Sequence, residues 1–147
     1  MKNYPIINKI TVDLFEWQTD KLGRDYNTFN LVYDPNSTLK QQEGILRIHT
    51  NLGLIGEHPI SGVGIAELKQ IATYLIGKNA LSREMIYSDT KRALRQSLKQ
   101  ASSIVDICLW DIAGKYFQEP IYRLLGGENI PLKAYASTLH GDENGGL

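Results

Sequence analysis

The stretch ASSIVDICLWDIAGKYFQEPIYRLLG, residues 101–126, decides the fold of this 147-residue chain. Apolar residues recur there at helical spacing, and further apolar residues fill the flanks of that stripe. A helix that is apolar on most sides is usually buried between two layers. The pattern therefore predicts a buried helix that ends before Pro120. Its stripe comprises Leu98, Ala101, Val105, Cys108 and Ile112, and its flanks comprise Ile104, Ile107, Leu109 and Trp110.

Upstream of this helix the sequence predicts strands. Residues 6–17 are rich in β-formers that alternate with polar residues, which is typical of a half-buried strand. A second strand is predicted from Gly44 to Thr50 and a third from Leu54 to Ile60, with Gly53 in the tight turn between them. The polar connection over residues 18–40 is predicted to be a long loop. The first 60 residues therefore predict a three-stranded antiparallel meander.

Helical spacing replaces the strand pattern after residue 61. One helix is predicted to end at Gly77, and Ser82 is placed to cap the start of a second helix that runs towards Leu94. Beyond the decisive stretch, a short turn leads to Gly126 and residues 132–138 predict one more strand. The predicted fold class is α+β, a three-stranded meander followed by a helical bundle.

Composition excludes several classes of function. Sixteen basic residues balance sixteen acidic residues, so no net field favours nucleic acid or an anionic membrane. No apolar run approaches the ~20 residues that span a bilayer, and the first residues lack a secretory signal pattern. The single cysteine, Cys108, has apolar neighbours and is interpreted as a buried apolar residue. We expect a cytoplasmic protein with no nucleic-acid or membrane partner.

The decisive stretch resembles a signature of the mandelate racemase/muconate lactonizing enzyme family, within the enolase superfamily. The resemblance implies an enolase-like N-terminal capping domain over residues 1–130, and the first strand and loop of a (β/α)₈ barrel over residues 131–147. That last strand is expected to be an orphan, because no other barrel strand is present. The matching residues are Ala101, Ser103, Val105, Asp106, Leu109, Asp111, Ile112, Gly114, Lys115, Pro120, Ile121, Leu124, Leu125 and Gly126.

Two positions depart from the family pattern, which has small residues where this chain carries Ile104 and Cys108. These positions are four apart and share one helix face. Enlarging both would crowd a close contact, at a typical overpacking cost of about 1–3 kcal/mol. We therefore expect compensating small residues on the element that packs there.

Asp106 and Asp111 lie within the apolar helix, so each needs a cation or backbone donors. They could be metal ligands or bases, or they could anchor the helix to its neighbours. Five residues correspond to about 140° of helix rotation, so the two carboxylates are not expected to converge on one ion. The resemblance also implies structural roles for these helix positions, together with Gly114, Lys115, Pro120 and Gly126.

The resemblance implies an enzyme that removes a proton α to a carboxylate, with Mg²⁺ holding the enediolate. An acid sugar is the favoured substrate, and dehydratase, racemase and cycloisomerase chemistry all stay open. A (β/α)₈ barrel requires about 250 residues, so the catalytic and metal-binding residues of the family are expected to be absent here. This chain alone is expected to hold no cofactor, to bind its substrate only with a complete barrel, and to be inactive.

Loops of the capping domain are expected to close over the substrate, as the resemblance implies. They correspond to residues 18–31 and 57–64, where Arg24, Tyr26 and His58 could contact an anionic substrate. Ser137 and His140 would lie on the barrel rim of an intact protein. The alternative, that these are solvated loop side chains, stays open.

A second class of function competes with the truncated-enzyme interpretation. The chain could be a non-catalytic binding or dimerisation module, or a cap that acts in trans with another chain, and homo-oligomers are then expected. The incomplete barrel favours the truncated enzyme, because an unpaired strand invites aggregation. Barrel sequence in frame in the DNA after Leu147 would separate the two.

Overall fold

The computed structural model describes residues 3–22 and 36–134. A three-stranded antiparallel sheet, in the order β1-β2-β3, precedes the helices, which confirms the predicted α+β class. The elements in chain order are β1 (Ile7–Leu22), β2 (Ser37–Thr50), β3 (Ile55–Ile60), α1 (Gly62–Leu75), α2 (Arg83–Ala93), α3 (Gln100–Phe117) and α4 (Ile121–Leu124).

The chain divides into two compact units. The first unit comprises Met1–Phe15 and Gln42–Asn129, and it contains the core and all four helices. The second comprises Glu16–Gln41 and Ile130–Leu147. In the first unit the core lies between one face of the sheet and helices α1, α2 and α3, and its largest fully buried side chains include Ile7, Leu46, Ile48, Ile60, Ile71, Leu75, Ile86, Leu94, Leu109 and Ile112.

Strand β2 carries the predicted alternation. It pairs antiparallel with β3, from Gly44 opposite Ile60 to His49 opposite Ile55. Leu46 and Ile48 are fully buried, as the predicted inward face required. On the other face, the Arg47 guanidinium bonds the carboxylates of Asp13 and Glu57 and so joins all three strands.

The long loop predicted over residues 18–40 is wrong at both ends. β1 continues to Leu22 and β2 begins at Ser37. Polar side chains pair in this extension: the Thr19 hydroxyl donates to Gln41 at 3.0 Å, and the Thr38 hydroxyl donates to Asp20 at 2.8 Å. Backbone pairing does not require an apolar face, so strands that are polar on both faces give no alternation signal in the sequence.

The helix boundaries mostly follow their sequence signals. Gly77 adopts the left-handed φ of +82° expected just after α1. Ser82 precedes α2 as predicted, although its side chain forms no capping hydrogen bond. Helix α3 ends before Pro120 as predicted, with Gln118 in the left-handed conformation (φ 55°). Its start lacked a sequence signal, because Lys99, which is not a glycine, takes the left-handed conformation there (φ 60°).

The strand predicted over residues 132–138 is described only as far as Ala134, and residues 131–134 form no regular element. The rest of that prediction lies outside the described residues. None of the helices found in residues 3–22 and 36–134 is long and apolar enough to cross a membrane.

Candidate functional site

Helix α3 is buried on one side only. Its inward residues are covered by β3, α1 and α2, and they are Ala101, Ser102, Val105, Cys108, Leu109, Ile112 and Ala113. Burial raises the pKa of the Cys108 thiol to about 12, so that thiol is a core group and not a nucleophile. Leu109, which the sequence places on a flank of the apolar stripe, is fully buried.

Two glycines allow β3 and α1 to lie close to α3. A Cβ on Gly56 of β3 would overlap the carbonyl oxygen of Cys108, so the strand backbone lies directly against the helix backbone. A Cβ on Gly64 of α1 would lie 3.2 Å from Cδ1 of Ile104 and 2.9 Å from Cγ1 of Ile60. Gly64 is therefore the compensating small residue expected opposite Ile104, whereas Gly56 makes room for the backbone of Cys108 and not for its side chain.

Asp111 ties α3 to the sheet. Its carboxylate accepts the backbone N–H of Glu57 at 3.1 Å and the Lys115 ammonium at 2.8 Å. The same ammonium donates to the carbonyl oxygen of Ile55 at 2.6 Å. Asp111 therefore has both a backbone donor and a cation, and one turn of α3 is fixed to two residues of β3.

Replacing Asp111 with alanine is expected to lower the free energy of unfolding by about 1–2 kcal/mol, because a charge-assisted bond to a backbone donor is lost. Urea unfolding followed by circular dichroism measures this loss. Glu119→Ala is the matched control, since Glu119 forms only an exposed pair with Arg123 on the helix surface. The control should lower the free energy of unfolding by about 0.5 kcal/mol or less. Equal losses in the two variants would contradict the role of Asp111 in tying α3 to the sheet.

Asp106 belongs to a second cluster, on the outward side of α3. The Arg83 guanidinium lies 3.2 Å from the centre of the Trp110 ring, and the Trp110 indole hydrogen-bonds Asp106. Burial raises the pKa of Asp106 and the neighbouring Glu84 adds to this, while Arg83 and the indole oppose it. The cluster joins α2 to α3.

The outward face of α3 consists of Ser103, Ile107, Trp110 and Gly114, which follow one another at helical spacing. Ile107 is 43% exposed, although the opposite side of the same helix is buried. Ile121 of α4 extends this face, because its Cγ1 lies 3.6 Å from the position of a Cβ on Gly114. The face therefore combines two exposed apolar side chains, Ile107 and Ile121, with the cluster of Arg83, Trp110 and Asp106, and the described residues leave it partly open.

Of the residues predicted to contact the substrate or line the barrel rim, His58 alone lies within residues 3–22 and 36–134. Arg24, Tyr26, Ser137 and His140 lie outside the described residues. His58 was expected in a loop over residues 57–64, but it lies within β3 opposite Leu46, with Nδ1 2.6 Å from the carbonyl oxygen of Pro59. That expected loop is wrong, because only Ser61 separates β3 from α1.

The sequence analysis missed Glu67, which is 3% exposed. Its carboxylate accepts the backbone N–H groups of Lys99 and Ala101, each at 2.9 Å, and so caps the start of α3 from another helix. A signal was present, because Glu67 lies four residues before Ile71 on the buried side of α1.

No group of three or more His, Cys, Asp or Glu side chains among residues 3–22 and 36–134 could hold a metal ion. The acidic residues of α3 have structural partners instead, on β3 and α2. The described residues therefore do not fit a resident Mg²⁺, and the outward face of α3 is the feature that could carry a function.

Comparisons with known proteins agree with this fold. Residues 32–126 match the model for the N-terminal domain of mandelate racemase/muconate lactonizing enzyme. Arabinonate dehydratase from Saccharolobus solfataricus is 33% identical over 99 residues, which cover 60% of this chain and 26% of that enzyme.

Solved structures show the same fold. D-glucarate dehydratase from Agrobacterium tumefaciens, solved with magnesium, matches with a TM-score of 0.64 and 24% identity over 86% of this chain and 34% of that chain. A muconate cycloisomerase from Azorhizobium caulinodans gives a TM-score of 0.66 and 16% identity over 88% and 32%. The chain thus corresponds to about a quarter to a third of the length of these relatives.

Proposed function

This chain belongs to the mandelate racemase/muconate lactonizing enzyme family, and we propose that its residues 1–130 form the capping domain of an acid-sugar dehydratase. Residues 131–147 would begin the catalytic (β/α)₈ barrel. The similarity to arabinonate dehydratase supports the choice of an acid sugar and of dehydration. In that reaction a base removes the proton α to the carboxylate. The electron pair of the broken C–H bond then expels the β-hydroxyl group, which takes up a proton and leaves as water.

The partly open outward face of α3 carries the proposal. Ile107 is 43% exposed on a helix whose other side is the centre of the core. A helix with apolar residues on both sides is stable between two layers, and the described residues supply one of them. A barrel packed on this face would be the second layer.

The capping domain and the barrel would have different roles in this enzyme. The described part of the chain offers no metal cluster, so any Mg²⁺ site and the bases would belong to the barrel. The cap would contribute binding and the exclusion of water. On this proposal the 147 residues are inactive by themselves and act on a carboxylate only together with a barrel.

We expect no tight binding of Mg²⁺ to the isolated chain. Mg²⁺ requires several oxygen ligands in near-octahedral arrangement, and the two carboxylates of α3, Asp106 and Asp111, have other partners. Calorimetric titration with MgCl₂, with CaCl₂ as the comparison cation, measures this. Stoichiometric uptake of Mg²⁺ with a dissociation constant in the micromolar range would contradict the placement of the metal site in the barrel.

Co-expression with the barrel domain of an acid-sugar dehydratase tests the proposed function. We expect the tagged chain to co-purify with the barrel and to restore Mg²⁺-dependent dehydration of at least one five- or six-carbon acid sugar. Ile107→Asp is expected to lower co-purification at least about tenfold, because it would bury an unpaired charge.

Val63→Asp is the matched control, since Val63 is exposed to a similar extent (45%) on a different helix, α1. It should leave co-purification within about twofold. A chain that forms dimers through Ile107 and never binds a barrel would favour the alternative of a dimerisation module. Equal effects of the two substitutions would contradict the role of the outward face.

A further inference from the structure

A run of positive charge marks the turn between α2 and α3. Residues 90–105 contain four basic residues and no acidic residue, in a chain that is neutral overall. We call Lys91, Arg92, Arg95 and Lys99 the basic turn. Within residues 3–22 and 36–134, none of the four forms an ion pair with a carboxylate. Among the described residues their charges therefore have no carboxylate in direct contact, although the buried Glu67 carboxylate bonds the backbone of the same turn.

A surface cavity of about 280 Å³ lies at the same place. Its lining combines the guanidinium-bearing Arg95 with two carboxamides and a hydroxyl, from Gln70, Gln96 and Ser97. Arg95 and Gln96 are exposed, so both side chains are accessible from solvent. A guanidinium can bind a carboxylate or a phosphate through two parallel hydrogen bonds, and the carboxamides of Gln70 and Gln96 can donate further bonds.

The turn is held in one conformation from beneath. The Glu67 carboxylate binds the N–H groups of Lys99 and Ala101, and the Ser97 hydroxyl also donates to it. The Glu67 carboxylate therefore points towards the backbone of the turn, where these bonds satisfy its charge. Leu94 is 1% exposed and anchors the other end of the turn, whereas Leu98 is 75% exposed and packs into no core. The cavity is thus preorganised, which lowers the entropic cost of binding.

We propose that the cavity at the basic turn binds a small oxyanion-bearing ligand, a phosphate or carboxylate compound, with Arg95 as its principal contact. This site lies on the α1–α2–α3 part of the first unit and involves no residue of the outward face of α3. It does not depend on the proposed dehydratase function. A ligand bound here would link α1, through Gln70, to the start of α3, and would stabilise the cap.

Titration of the ¹⁵N-labelled chain tests this site by NMR. The probes are inorganic phosphate and citrate, each compared with NaCl at equal ionic strength. We expect saturable shifts confined to residues 93–99 and Gln70. Stronger saturation by phosphate would identify a phosphate ligand, and stronger saturation by citrate a carboxylate ligand. Arg95→Gln is expected to weaken binding at least about tenfold.

Arg123→Gln is the matched control, because it removes the same charge from α4, away from the cavity. It should change the affinity by less than about twofold. Equal weakening by both substitutions, or the same shifts with NaCl alone, would show non-specific attraction and overturn the proposal. The absence of saturation with either probe would overturn it as well. Amide spectra of the Arg95→Gln variant without ligand establish that it is folded.

Discussion

Gly56→Ala is expected to lower the free energy of unfolding by about 3 kcal/mol, at the upper end of the usual range for overpacking. The added Cβ would overlap the carbonyl oxygen of Cys108 and approach its carbonyl carbon to 2.8 Å. Both atoms belong to the backbone of α3, which is itself fixed to β3 by Asp111, so neither can move aside cheaply. For a domain of this size the melting temperature should fall by roughly 6–12 °C.

The other glycines separate this steric effect from general glycine replacement. A Cβ added at Gly62 would meet no other atom within 4 Å. Because Gly62 lies in α1, Gly62→Ala should be neutral or stabilising by up to about 1 kcal/mol. Gly64→Ala meets the ends of two isoleucine side chains, which can shift, so its cost should fall between the two.

Calorimetry of the three glycine variants measures the order of their stability losses. Cys108→Ala should not rescue Gly56→Ala, because the obstacle is a main-chain oxygen. A loss below about 1 kcal/mol for Gly56→Ala would contradict the close strand–helix contact, since overpacking normally costs more than that.

The strands and helices whose apolar residues recur at regular spacing could be predicted from the sequence. Their contacts with one another could be predicted in part. Strand β2 follows its predicted face because burial on one side imposes the alternation that the sequence displays. Helix α3 does so as well from Ala101 onwards, but Leu98, predicted in the buried stripe, lies before the helix and is 75% exposed. The family pattern at Ile104 required a small partner, which is Gly64 of α1. The close approach of β3 to the backbone of α3 at Gly56 could not be predicted, because strand–helix pairing is a property of the folded chain.

The polar parts were harder to predict for a physical reason. Residues 18–22 and 37–40 form strands whose side chains bond one another, such as Thr19 with Gln41, and no hydrophobic pattern records such pairing. Asp111 could be predicted to need partners, but not that a backbone N–H of β3 would be one. The substrate-contacting predictions at Arg24 and Tyr26 stay predictions. His58 lies in the strand that the alternation predicted over residues 54–60, and the loop that the resemblance implied over residues 57–64 was wrong.

Glu67→Ala is expected to lower the free energy of unfolding by about 3 kcal/mol or more. The substitution leaves the N–H groups of Lys99 and Ala101 without an acceptor, and each unsatisfied buried donor costs about 1–3 kcal/mol. Relaxation of Lys99, whose left-handed conformation (φ 60°) is costly for a residue with a side chain, would offset part of this loss. Chemical unfolding at pH 7, compared with Glu67→Gln, measures the loss.

Glu67→Gln is the matched variant because it keeps the size and one oxygen acceptor but removes the charge. Burial raises the pKa of Glu67, but the hydrogen bonds from Ala101, Ser97, Lys99 and Gln100 outweigh burial, so the pKa lies below its ordinary value. A carboxylate whose pKa is lower in the folded state stabilises the fold above its unfolded pKa of about 4.3. That contribution disappears as the pH falls through the folded pKa.

The stability difference between the native chain and Glu67→Gln should therefore be constant from pH 6 to 8 and shrink below about pH 4. Unfolding curves at each pH, with Glu119→Gln as an exposed control, measure it. The control should show no comparable pH dependence, because Glu119 pairs only with Arg123 at the surface. A difference that grew on acidification would mean that Glu67 is buried as the neutral acid. The start of α3 would then be held by packing alone and not by a charged acceptor.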